Sequence, residues 1–173
     1  MHIFLTGPKQ VGKSTIIQKV IERLKMKDLC IGGFCTYQGI SNDLDIYINY
    51  YDRGKPYTLE NKVAYRTIEG ATPLPHTFDS LGVKILSDTN VDIIVMDELG
   101  FLESSAELFK SKVLTLIDGI IPILGVIKEQ YVPWLEQIKY HPKVETISVT
   151  QNNRDFLPEL VLHKISTYLS VKI

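Results

Sequence analysis

Eight residues near the amino terminus, Gly7-Pro8-Lys9-Gln10-Val11-Gly12-Lys13-Ser14, have the types and spacing to hold a phosphate. In G-x-x-x-x-G-K-S, the glycines let backbone N–H groups turn inward around anionic oxygens. Lys13 then supplies a cation for the β- and γ-phosphates, and the Ser14 hydroxyl is placed to hold Mg²⁺. These eight residues and Thr15 are the candidate nucleotide contacts.

A second constellation lies further along. Asp97-Glu98 closes the apolar run Ile93-Ile94-Val95-Met96. Four apolar residues followed by an acid is the pattern of the Mg²⁺-associated strand in nucleotide-hydrolysing folds. Asp97 is the second candidate metal ligand, acting through water. Glu98 is the candidate to orient or deprotonate an attacking water. Two adjacent acids are tolerable where Mg²⁺ and Lys13 supply opposite charge. Glu103 either supports this site or caps a helix starting at Ser104. A third stretch, Val149-Thr150-Gln151-Asn152-Asn153-Arg154-Asp155, forms a polar loop whose Asn153 or Asp155 could cap the last helix.

The phosphate loop needs a strand before it and a helix after it. His2 to Thr6 is an apolar strand-forming run. Ser14 to Lys25 repeats Ile16, Ile17, Val20, Ile21 and Leu24 at helical spacing. The helix start adds unpaired N–H groups and a positive dipole end. Further strands are predicted over 29–37, 91–97, 120–127 and 144–149. Helices are predicted over 77–86, with Thr77 as N-cap, and over 104–117, 131–139 and 155–169. This alternation predicts an α/β three-layer sandwich, a mostly parallel sheet with helices on both faces. Ligands in such sheets bind beyond the carboxyl ends of the strands. Residues 38–75 break the alternation. The run from Asp45 to Tyr51, the turn Asp52-Arg53-Gly54-Lys55-Pro56 and the run from Asn61 to Ile68 read as an antiparallel hairpin insertion. It is too short for a core of its own, so 1–173 is read as one domain. Trp134 and the tyrosines at 47, 50, 51 and 57 read as packing residues, with base stacking by one tyrosine as the alternative.

Composition narrows the function classes. A hydrophobic share of 45% suffices for a packed core. No apolar run is long enough to span a membrane, and no secretion signal is visible. A net charge of −1 gives no strong nucleic-acid signal. Cys30 and Cys35 lack the further ligands of a zinc site and read as buried thiols of a reducing, cytoplasmic compartment.

The phosphate loop, the string Asp97-Glu98-Leu99-Gly100-Phe101-Leu102-Glu103 and the stretch from Val149 to Asp155 occur in that order. Together they resemble the THEP family of P-loop nucleoside triphosphatases, over the first 25 residues and about 78–161. Lys128-Glu129 resembles a basic-acidic pair after that family's fourth core strand. The resemblance implies a P-loop NTPase fold and Mg²⁺-dependent hydrolysis of ATP, GTP and other nucleoside triphosphates with loose base selectivity. It also implies that Asn153 and Arg154 lie near the nucleotide. The chain departs from the family after its second strand, where an acidic-Val-Arg sequence is replaced by Thr36-Tyr37-Gln38-Gly39.

Two other functions compete with hydrolysis. A nucleotide or small-molecule kinase would gather several arginines around the transferred phosphoryl group. The chain has four arginines, at 23, 53, 66 and 154. A nucleotide-binding switch or adaptor would bind tightly and turn over too slowly to matter.

Overall fold

The structure is a computed structural model and describes residues 1–170. Its centre is an eight-stranded sheet in the order β5-β4-β3-β2-β6-β7-β1-β8. The strands β1 (His2–Thr6), β2 (Ile31–Gln38), β6 (Ile93–Leu99), β7 (Ile123–Ile127) and β8 (Val144–Ser148) run parallel to their neighbours among them. The strands β3 (Ile46–Tyr50), β4 (Lys62–Thr67) and β5 (Gly70–Pro73) continue the same sheet antiparallel.

Alternation along the central strands builds two cores. Ile3, Leu5, Ile93, Val95, Leu124 and Val126 face one side, covered by α1 (Lys13–Lys25) and α6 (Leu157–Ser170). Phe4, Ile94, Met96, Ile123 and Ile127 face the other. That side is covered by α3 (Val83–Ser87), α4 (Glu107–Asp118) and α5 (Pro133–Lys139). Because successive strand side chains point to opposite faces, a strand buried on both sides must be apolar throughout. This accounts for the unbroken runs of β6 and β7, and it gives the expected three layers. Among the described residues, no helix is long and apolar enough to cross a membrane.

Several expected boundaries shift for physical reasons. The helix expected over 77–86 is three pieces: α2 (Pro75–Thr77), a π-helical turn at Phe78–Gly82, and α3. Thr77 does not cap it. Leu74 precedes the first turn, and Pro75 sits at the first helical position, where its missing N–H costs nothing. β7 starts at Ile123, after Pro122. α4 starts at Glu107, because residues 101–106 form turns in which Ser104 N donates to Phe101 O and Ala106 N to Glu103 O. β5 was not anticipated. Cys35 is buried, but Cys30 is exposed at the approach to β2, which corrects the reading of two buried thiols. Tyr37, Tyr47 and Tyr57 pack on one another, and Arg53 covers the Tyr50 ring.

Candidate active site

Parallel strands deliver their following loops to one edge of the sheet. The loop after β1 wraps between that strand and α1. Gly7 has φ 136° and Gly12 φ 114°, values that side chains disfavour. A Cβ on Gly7 would also stand 2.5 Å from the Val149 carbonyl oxygen, so the loop can pass β8 only with glycine there. Gly12 is the residue preceding α1, and no side chain caps the helix, so its first N–H groups remain available to an anion.

Lys13 points back over the loop, its Nζ donating to Gly7 O at 2.7 Å and Pro8 O at 2.8 Å. Burial holds its ammonium below the ordinary lysine value, against the opposing pull of Glu98, Glu129 and Asp97. Ser14 Oγ donates to Asp97 Oδ1 at 3.1 Å across 83 residues of sequence. Burial pushes the Asp97 carboxyl up to about 6, with the Ser14 hydrogen bond opposing. The two expected metal ligands are thus adjacent. A hydroxyl and one carboxylate suit Mg²⁺, which keeps several waters and takes few protein ligands.

Glu98 turns to a cavity of about 380 Å³ shared with Gly7, Pro8, Lys9 and Lys13. Lys128, just beyond β7, pairs with Glu98 at 2.9 Å. The Thr36 hydroxyl of β2 accepts from Glu98 N at 3.4 Å and donates to Asp97 O at 3.5 Å, bracing the acidic pair. Glu103 is buried and accepts from Gly100 N at 2.8 Å, while Trp134 Nε1 donates to Gly100 O at 3.1 Å. Of its two expected roles, Glu103 therefore takes site support, since α4 begins four residues later. Burial pushes its carboxyl up to about 7.

Residues 2–162 match the sequence model of a family described as NTPase. This chain belongs to that NTPase family. It is 29% identical to a Bos taurus protein named cancer-related nucleoside-triphosphatase homolog, over 96% of this chain and 97% of that one. It is 27% identical to nucleoside-triphosphatase THEP1 of Methanocaldococcus jannaschii, over 95% of this chain and 97% of the other. The crystal structure of THEP1 from Aquifex aeolicus shares the fold, with a TM-score of 0.76 and 23% identity over 95% of this chain and 99% of that one. The NTPase match runs through residues 38–75, so the likeness is wider than the motifs alone suggested.

The structure places the other expected site residues as follows. Val11 is buried in the core beside α1, so only its backbone can serve a nucleotide. Gln10 shapes the loop with φ 62°, and Thr15 is exposed on the first turn of α1. Asn153 spends its side chain on its own loop, Oδ1 accepting from Thr150 N and Nδ2 donating to Ser148 O, both at 2.8 Å. Asp155 is exposed 3.9 Å from Arg154 Nε, while Phe156 N and Leu157 N donate to the Asn153 carbonyl, so the expected cap at Asp155 is replaced by Asn153 O. Arg154 does reach the phosphate loop: its Cδ lies 3.8 Å from where a side chain on Gly12 would begin. Arg66 and Thr36, which sequence reasoning did not assign, also stand at the site. Their signal is register within the sheet, which spacing along the chain does not carry.

Proposed function

We propose that this chain hydrolyses nucleoside triphosphates, ATP and GTP among them, with Mg²⁺. The observation that carries the reading is the convergence of Lys13, the Ser14–Asp97 pair and Glu98 at one mouth of the sheet. The nucleoside triphosphatase names of the relatives support it.

The phosphate chain lies along the loop from Gly7 to Ser14, its charge met by backbone N–H groups, the start of α1 and Lys13. Ser14 and Asp97 would hold Mg²⁺, which supplies charge neutralisation for the β- and γ-oxygens. Water attacks the γ-phosphorus, and its proton passes to the Glu98 carboxylate. The bond between the γ-phosphorus and the bridging oxygen breaks, and its electron pair leaves with the diphosphate. Products are nucleoside diphosphate, inorganic phosphate and the proton that Glu98 returns to solvent. Thr36 and Lys128 hold Glu98 in place for this role.

Transfer to another acceptor fits less well. Arginine clusters suit phosphoryl acceptor sites, and a single arginine, Arg66, enters this cavity. Phosphate release from ATP, GTP, CTP and UTP, with and without Mg²⁺, tests the reading. Mg²⁺-dependent release from several of them is expected. Release only when an alcohol or nucleotide acceptor is added, followed by γ-³²P labelling, would make the chain a kinase. Tight binding without turnover would make it a switch.

A further inference from the structure

The antiparallel extension puts one charged group into the phosphate cavity. Arg66 lies near the end of β4, and its side chain lines the cavity with Gly7, Pro8, Lys13 and Glu98. Lys13, held over the loop by the Gly7 and Pro8 carbonyls, marks where the terminal phosphates would sit, and Glu98 marks where the attacking water would sit. Arg66 therefore shares the space where the γ-phosphoryl group changes hands.

The guanidinium is available for that task. Three nearby carboxylates have other partners. Asp45 takes Lys62 Nζ at 2.6 Å and the Arg66 backbone N–H at 2.9 Å. Glu98 takes Lys128, and Glu103 takes Gly100 N. Among the described residues, no hydrogen bond or ion pair holds the Arg66 side chain. The backbone, in contrast, is fixed: Arg66 pairs with Ala71 across the β4–β5 hairpin, and Asp45 anchors its N–H. An anchored backbone with an unengaged, half-buried guanidinium suits a group that engages only when substrate arrives. The cavity also carries four cationic side chains, Lys9, Lys13, Arg66 and Lys128, against Glu98 and Glu129, an excess suited to a triphosphate.

We propose that Arg66 is a catalytic residue, an arginine finger supplied in cis by the hairpin extension. It binds γ-phosphate oxygens as the bond to the leaving diphosphate breaks and charge moves onto the departing oxygens. Lys13 stays with the β- and γ-phosphates, and Glu98 with the water. This inference rests on the hydrolase reading above. It adds that the extension is part of the active site, and that no partner protein need deliver the arginine.

The test measures kcat and KM for ATP with Mg²⁺ in wild type, Arg66→Ala and Arg66→Lys, together with binding of ADP alone and of ADP with aluminium fluoride. Arg66→Ala is expected to lower kcat by about 10³-fold, the lower end for loss of such an arginine. ADP affinity should stay near wild type, and the ADP–aluminium fluoride complex, which mimics the transferring phosphoryl group, should be lost. Arg66→Lys should remain below wild type, because an ammonium lacks the planar fork. Circular dichroism confirms folding, and retained ADP binding shows that the site survives in each variant. Wild-type kcat in Arg66→Ala overturns the proposal, and so does a raised KM at unchanged kcat, which marks a ground-state contact. Absence of turnover in the wild type overturns the hydrolase reading itself, and the proposal falls with it.

Discussion

The two halves of the sheet place charge in the cavity by different means. In the parallel half, β1, β6 and β7 each end at the same edge and bring charged groups there: Lys13 at the start of the helix after β1, Asp97 with Glu98 in the last residues of β6, and Lys128 just past β7. Direction comes from parallel pairing, and the groups need only lie at or just past a strand end. In the antiparallel half, neighbouring strands end at opposite edges. Arg66 reaches the cavity from within β4, because the hairpins carry that strand out to the flank of the site. The parallel half thus carries the residues proposed to hold the phosphates and Mg²⁺. The extension adds a group that acts on the reaction itself. Substitutions in the first half should affect binding, with one exception, Glu98, whose loss should affect rate. Substitution of Arg66 should affect rate alone.

Glu98 gives the largest expected effect. Glu98→Gln keeps size and hydrogen-bonding capacity but removes the base, so turnover should fall by about 10²–10⁴-fold while binding of ATP with Mg²⁺ persists. Unchanged phosphate release would remove Glu98 from its role and leave the parallel half purely a binding platform. Lys13→Ala comes next. Loss of a charge-assisted contact costs about 1.5–3 kcal/mol of nucleotide affinity, visible in equilibrium titration. Wild-type affinity in a folded Lys13→Ala variant would break the comparison at its root.

Asp97 sharpens the same half through pH. Burial raises its carboxyl to about 6, above the ordinary 3.8. The folded state therefore holds a proton that the unfolded chain has already released, and stability falls as pH rises from about 4 to 6. By pH 7 the buried carboxylate destabilises the nucleotide-free protein. Asp97→Asn should raise stability at pH 7 by roughly 1–3 kcal/mol in urea denaturation, and the gain should vanish below about pH 4. The same variant should lose Mg²⁺-dependent nucleotide binding. In the wild type, Mg²⁺-dependent binding should weaken as pH falls below about 6, since the ligand must be deprotonated. A variant no more stable at pH 7 than the wild type would mean that Asp97 carries no strain on behalf of the metal.

The difference between the halves also explains what was legible in the sequence. A phosphate loop is a local object: eight residues set the glycine angles, the lysine and the helix start, so Gly7 to Ser14 could be read directly. Asp97 and Glu98 were legible because a strand buried on both faces is apolar until it nears the open edge of the sheet, and the first charges mark that approach. Residues 38–75 show alternation and turns, which suffice for hairpins. Spacing does not state which hairpin residue meets a loop 60 residues earlier, so Arg66 was counted only as one arginine among few. Misplaced helix starts have a related cause. Thr77 and Asp155 are good capping types, but Pro75 and the Asn153 carbonyl had already begun those helices. Asn153 was assigned to the nucleotide by resemblance, and its amide holds Thr150 and Ser148 instead.

The attachment of the extension can be tested apart from the chemistry. Asn61 is buried between β3 and the turn before it, its Nδ2 donating to Tyr37 Oη, Ile48 O and Pro56 O at 2.9, 2.9 and 3.0 Å. Its Oδ1 accepts from Thr58 N and Thr58 Oγ1. Asn61→Ala strands these groups and should cost about 1–3 kcal/mol. If the extension is continuous with the parallel half, the urea midpoint should drop with an unchanged m-value, in one transition. A separate early transition, read from the fluorescence of the tyrosines at 37, 47 and 57, would show the halves to be independent.

Arg154 is the smallest expected effect, and it asks whether the parallel half also reads the base. It stands about half exposed, its stem beside Gly12 and its Nε 3.9 Å from Asp155, outside the cavity that contains Lys13 and Glu98. That position is behind the phosphates, where the nucleoside end would lie. A planar guanidinium there can stack on any base, as the loose base selectivity implied by the resemblance would require. At an exposed site such stacking is worth about 0.5–1 kcal/mol, a two- to fivefold change in affinity. Arg154→Ala and Arg154→Lys should therefore weaken adenosine and ATP alike by that factor, measured calorimetrically, with kcat unchanged. Loss for ATP alone would make Arg154 a phosphate contact. No loss for either ligand would leave it a surface partner of Asp155, worth about 0–1 kcal/mol of stability. A fall in kcat would be the most damaging result, because the rate would then depend on an arginine from each half, and the division of labour between them would not hold.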